Sequence, residues 1–218
     1  MSVLFLGKQD DSYCEKAQEF IELKFPGATV ITGTRQTPLP AEAESWQGDY
    51  LLSYLSPWIV PDALLKRARI ASINFHPGPP EYPGIGCTNF AIYNNESDFG
   101  VTCHHMAPRV DTGKIIAVRR FPLLAADSVY SLTQRCYTQI LALFFEMMSG
   151  VLAGEELPES TERWTRLPYK RSELNALCRI EPDMTTEEIR RRLRAVTFPG
   201  APGGYVEIGG FRFEYKAT

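Results

Sequence analysis

Short apolar runs recur along the first third of this chain, with helical or loop sequence between them. They are Val3-Leu-Phe-Leu-Gly7, Asp49-Tyr-Leu-Leu-Ser-Tyr-Leu-Ser56 and Ala71-Ser-Ile-Asn-Phe75. Runs this short and this apolar fit strands covered on both faces. Such strands belong to sheets whose parallel neighbours are joined by crossover helices. The pattern predicts a strand at 3–7, a helix over 12–25 stopped by Pro26-Gly27, a strand at 28–32 and a loop over 33–48. A strand at 49–56, a helix opened by Pro61 and a strand at 71–75 follow. The expected fold class is α/β, a Rossmann-like parallel sheet with right-handed crossovers.

Beyond residue 86 the sequence predicts a short helix over 87–95 and strands at 99–106 and 114–123, separated by Ala107-Pro-Arg-Val-Asp-Thr-Gly113. A helix over 128–151 follows, nearly all apolar from Ile140 to Met148, which suits packing on the sheet and falls short of a membrane span. From Glu155 the composition turns to proline, charge and polar residues. This divides the chain into 1–154 and 155–218. In the second part Thr185-Thr-Glu-Glu188 opens a helix through Ala195, and residues 205–215 form a β-hairpin about Gly209-Gly210. A piece of that size buries little by itself, so it is expected to dock on the first.

The net charge is -3, which disfavours a dedicated polynucleotide binder. Five scattered cysteines without a CxxC pair fit reduced thiols rather than a disulfide frame. The apolar run at 3–7 is too short for a signal peptide. A soluble, cytoplasmic protein is expected.

Asn74 and His76 stand two residues apart on a strand, so they share a face. Pro77-Gly-Pro-Pro80 ends that strand at once, leaving the pair at its C-terminal lip, where open α/β sheets place their chemistry. An amide and an imidazole there can donate to a developing oxyanion, and the imidazole can move a proton. The bland alternative is a pair of strand-end polar residues satisfied by backbone. Asp111 sits in an Asp-Thr-Gly turn and by itself reads as structural. With the pair it supplies a carboxylate to orient His76. Cys87, a small residue at a helix start, reads as packing rather than a nucleophile.

His104 and His105 are adjacent on a strand and face opposite ways, so a three-histidine metal centre is disfavoured and no metal is expected. His104 can reach the site; His105 reads as an ordinary satisfied histidine. Neither G-x-G-x-x-G nor G-x-x-x-x-G-K-[ST] is present, which removes the main support for dinucleotide redox and P-loop chemistry. The apolar exit Leu55-Ser-Pro-Trp-Ile-Val-Pro61 either lines a slot for a flat cofactor or plugs the sheet end. Arg190 to Arg192 with Arg194 reads as a solvated helix face. Lys170-Arg171, with Tyr169 and Trp164, suits either a nucleotide diphosphate or docking of the tail.

Several of these segments together resemble the formyltransferases that use N10-formyltetrahydrofolate. They are Asn74-Phe-His-Pro77 with its Pro-Gly turn to residue 84, Gly100-Val-Thr-Cys-His-His-Met-Ala-Pro-Arg-Val-Asp-Thr-Gly113, Ser56-Pro-Trp-Ile-Val-Pro61 and Arg194-Ala-Val-Thr-Phe-Pro-Gly200. The resemblance runs through the whole chain in order. It implies a formyltransferase catalytic domain at 1–154 with a small helix-plus-hairpin subdomain behind it. It also implies a catalytic trio of Asn74, His76 and Asp111, and a folate site between Trp58, Ile59 and Val60 on one side and Arg109, Val110 and Asp111 on the other. The co-substrate implied is N10-formyltetrahydrofolate, with no metal.

Among acceptors known in the family, the short tail and the Pro-Pro-Glu-Tyr-Pro-Gly turn are most similar to sugar-nucleotide N-formyltransferases. That implies a nucleoside diphosphate-linked dideoxy amino sugar made for surface polysaccharide such as O-antigen, in a cytoplasmic enzyme able to pair as a homodimer, with no membrane or nucleic-acid partner. Formylation of methionyl-tRNA, of a carrier-bound aminoacyl group or of glycinamide ribonucleotide is the alternative. A binding domain that has kept the fold is another, against which the intact trio stands. Against the carrier role stands a hairpin that runs to the last residues with no adenylation domain following.

Overall fold

A computed structural model describes residues 1–216; Ala217 and Thr218, the end of the expected subdomain, lie outside the described residues. The first apolar run forms β1 (Val3–Lys8). It leads into α1 (Ser12–Lys24), whose first amides are capped by the Asp11 carboxylate. Next come β2 (Thr29–Gly33), a short helix α2 (Ala41–Ser45), β3 (Gly48–Tyr54), α3 (Asp62–Leu65) and β4 (Ala68–His76). The loop expected over 33–48 therefore contains a helix; five residues are too few to display a helical period.

These four strands run parallel in the order β2-β1-β3-β4. After α4 (Cys87–Asn94), β5 (Asp98–His105) and β6 (Ile115–Pro122) extend the sheet antiparallel. The parallel half expected from sequence is present in β1 to β4, and the two later strands make the whole sheet mixed. β5 and β6 are joined by a loop without a crossover helix, and that connection reverses chain direction.

α5 (Val129–Ala153) opens on a capping box between Ser128 and Ser131 and closes on Gly154 at φ 79°. By length and composition it could cross a membrane, which corrects the sequence expectation. Its buried residues instead include Leu132, Ile140, Leu143, Phe144 and Met148, packed into the sheet core. Phe144 meets Phe5, Tyr54 and Phe75 edge-on, with ring centroids 6.2, 5.3 and 5.1 Å away.

The tail contributes α6 (Arg171–Cys178), α7 (Thr186–Val196) and an antiparallel hairpin of β7 (Tyr205–Ile208) and β8 (Phe211–Glu214). Residues 155–170 form a strap stitched to the main sheet by backbone hydrogen bonds. Ser160 N–H donates to Ile115 O, Thr165 to Pro80 O and Tyr169 to Pro83 O, while Ile85 N–H donates to Tyr169 O. Three of the four arginines of α7, read from sequence as a solvated face, engage neighbouring elements, while Arg190 is exposed. Arg192 pairs with Glu188 at 2.6 Å and donates to the carbonyls of Ala176 and Arg179. Arg191 stacks on Tyr93, and Arg194 donates to the Ala125 carbonyl. This correction has a simple cause: orphan carbonyls at a helix end attract guanidinium groups.

Candidate active site

β4 delivers Asn74 and His76 to its C-terminal end, and the turn at 77–84 passes beneath them. Thr102 Oγ1 holds this turn by donating to Gly78 O at 2.8 Å. Asp111 enters from the β5–β6 loop with φ 47°, a left-handed conformation that Asp tolerates better than most residues. Its buried carboxylate is the hub. Oδ2 accepts from Gly84 N–H at 2.8 Å and lies 3.2 Å from His76 Nδ1. Oδ1 lies 3.2 Å from His104 Nε2 and accepts from Asn74 Nδ2 at 3.5 Å. Burial pushes the Asp111 carboxyl up, but the adjoining His76 and His104 and the Gly84 amide outweigh it and hold it at about 2. The hub is an anion that orients two imidazoles.

His76 Nε2 donates to the Tyr82 carbonyl at 3.0 Å. Both ring nitrogens therefore face acceptors, and the ring plane is fixed. His104 Nδ1 donates to His105 O at 2.8 Å, and its Nε2 lies 3.1 Å from Asn74 Nδ2. Trp164 of the strap covers both rings edge-on, at 5.9 Å from His76 and 5.0 Å from His104, and its indole N–H donates to Gly113 O at 2.7 Å. Tyr169 stacks on Phe90 at 3.9 Å. Trp164 and Tyr169 thus take part in docking the tail, and Tyr169 also lines the neighbouring cleft. Burial pushes the Cys87 thiol up to about 12, unsuited to nucleophilic work at neutral pH.

Asn74, His76, His104 and Asp111 line one end of a cleft of about 920 Å³. Trp58, Ile59, Val60 and Val110 line it as well, whereas Arg109 does not; the Arg109 carbonyl instead accepts from Thr112 Oγ1 at 2.8 Å. Trp58 is anchored through its indole N–H on Thr37 O at 2.8 Å. Ile59 and Val110 remain exposed, and apolar groups left open in a concave cleft fit a flat apolar ligand. His104 is the partner that motif reasoning placed only loosely. It stands directly opposite Asn74 across the antiparallel β4–β5 pair, so strand direction was the missing signal. Trp164 carried no local signal at all.

Residues 41–147 match the family described as formyl transferase. Among curated proteins the chain is 24% identical over 84% of its length to the methionyl-tRNA formyltransferase of Latilactobacillus sakei. It is 28% identical over 74% of its length to the GDP-perosamine N-formyltransferase of Brucella melitensis. These matches span 57% and 62% of those relatives' own lengths. A sugar N-formyltransferase from Shewanella superposes with a TM-score of 0.79 at 19% identity, covering 100% of this chain and 97% of that one. The N-formyltransferase of Helicobacter canadensis, solved in complex with folinic acid and dTDP-3-aminofucose, gives 0.73 at 20% identity, covering 95% and 84%. At those identities the likeness establishes the fold. The matched segment runs through β3, β4, β5 and most of α5, and it holds Asn74, His76, His104 and Asp111, so these residues carry the likeness to the formyl transferase family.

Proposed function

We propose that this protein transfers the formyl group of N10-formyltetrahydrofolate to the amine of a nucleotide-linked amino sugar. One observation carries the reading: Asn74, His76 and a buried, ionised Asp111 meet in a cleft that the apolar Trp58 to Val60 and Val110 also line. The names of the Brucella and Helicobacter relatives support the acceptor class.

Trp58, Ile59, Val60 and Val110 would hold the folate, which when bound supplies the formyl carbon. The amine attacks that carbon, a C–N bond forms and the bond to the folate nitrogen breaks. Asn74 Nδ2 donates to the formyl oxygen as negative charge grows there. His76 supplies a second donor by exchanging its bond to the Tyr82 carbonyl for one to that oxygen. Asp111 holds His76 in place and draws the proton from the attacking nitrogen, and that proton passes to the leaving nitrogen. No step calls for a metal.

The negative net charge favours a sugar nucleotide over tRNA. The Latilactobacillus relative keeps methionyl-tRNA as the second reading. The reading extends to a cytoplasmic enzyme of surface polysaccharide synthesis, acting away from membranes. It also includes self-association, since Ile208, Phe211, Phe213 and Tyr215 leave an apolar face of the hairpin exposed.

The test is a panel of GDP-, dTDP- and UDP-linked amino sugars with N10-formyltetrahydrofolate, following tetrahydrofolate release by absorbance. Release with a sugar nucleotide supports the proposal. Release only with charged tRNA or an aminoacyl carrier would sink it.

A further inference from the structure

A second chamber of about 590 Å³ adjoins the cleft and shares Arg35, Pro77, Ile85, Tyr137 and Arg171 with it. The two spaces meet at a neck formed by these shared residues, of which Pro77 and Ile85 adjoin His76 and Gly84 in the chain. The second chamber is bounded by α4, α5, α6 and the hairpin. Its charged lining is Arg35, Arg171 and Arg212, with no aspartate or glutamate. Arg212 is already committed, pairing with Glu214 at 2.9 Å and lying 3.8 Å over the Tyr205 ring. Arg35 and Arg171 stand at the neck itself. Burial and the neighbouring Arg35 charge both weaken the hold of Arg171 on its proton, with a small opposing effect from Cys178.

Two guanidinium groups that repel one another across a passage are stabilised by an anion placed between them. Guanidinium forks bind phosphate oxygens in pairs. The aromatic rings of Phe198 and Tyr205, further into the same chamber, suit the flat face of a base.

We propose that Arg35 and Arg171 together grip the diphosphate of the acceptor at this neck, with the nucleoside in the second chamber and the amino sugar directed toward Asn74. The inference rests on the sugar-nucleotide reading and adds to it a binding site in this chain. Of the Lys170-Arg171 segment that the sequence offered for a nucleotide diphosphate, it takes Arg171, which lines both spaces.

The experiment is calorimetric titration of the full chain with GDP, dTDP and UDP, with the matching monophosphates and with 5-formyltetrahydrofolate. At least one diphosphate should bind about tenfold or more tightly than its monophosphate, and R35A and R171A should each weaken it by about tenfold. Binding of 5-formyltetrahydrofolate should weaken less than diphosphate binding in either variant, since Arg35 and Arg171 also line the cleft. Both arginines are exposed, so the variants should fold, which a thermal melt checks. Equal diphosphate affinity in wild type and in R35A/R171A would overturn the clamp while leaving the acceptor reading intact. Wild-type protein that binds 5-formyltetrahydrofolate but no nucleoside diphosphate would overturn the acceptor reading and the clamp with it.

Discussion

At the residue scale, the site is a carboxylate surrounded by donors. His76 makes the most exacting contribution, because its ring must leave the Tyr82 carbonyl to reach substrate. His76→Asn should lower formyl transfer by about 10²–10³-fold with the circular dichroism spectrum unchanged, the loss typical of one oxyanion donor. Activity near wild type would remove the residue from the mechanism. Asp111 makes a prediction about acid. Its folded value is depressed to about 2, so its stabilising effect is complete above the unfolded value near 4 and is lost as pH falls through about 2. Urea midpoints of wild type should therefore fall between about pH 4 and 2, whereas Asp111→Asn should show a flatter dependence over that window. A parallel decline in both would contradict the assignment. Sequence parity alone placed Asn74 beside His76, since strand geometry has a period of two. It gave Asp111 only a turn signature, and the carboxylate's role at the hub depends on a loop folded back over thirty residues.

At the scale of elements, the parallel half of the sheet was legible because buried strands alternate with helices. The direction of β5 and β6 was not, because an apolar run has the same pattern in either direction. The α7 arginines were misread for a related reason: charge periodicity says which face is polar, not which carbonyls that face meets. The most demanding junction between elements is Gly84. It has φ 85°, and a Cβ there would lie 2.5 Å from the Tyr169 carbonyl oxygen, while its N–H holds Asp111. Gly84→Ala should destabilise the protein by about 1–3 kcal/mol through backbone strain. The same change should lower turnover, because it shifts the donor on which Asp111 depends. A urea midpoint equal to wild type would show that the junction tolerates a side chain.

At the scale of the whole molecule, the hairpin leaves an apolar face exposed and the strap is stitched to the body of the protein. An isolated two-stranded hairpin is marginal in water. Phe211→Ser with Phe213→Ser should therefore shift sedimentation from dimer toward monomer, without loss of the main fold. A wild-type protein that sediments only as monomer would end the case for self-association. The sequence indicated a docked tail but not its depth of involvement. Contacts between Trp164 and the two imidazoles join residues far apart in the chain, and no local pattern reports such a pairing. Order of synthesis adds a consequence. A nascent chain that has emerged through β6 already holds Asn74, His76, His104 and Asp111, but not the indole that covers the rings or the strap that pins residues 80–85. During translation the sheet can therefore form ahead of its finished site. The cluster gains its cover and its pinned turn only after residue 169 has left the ribosome.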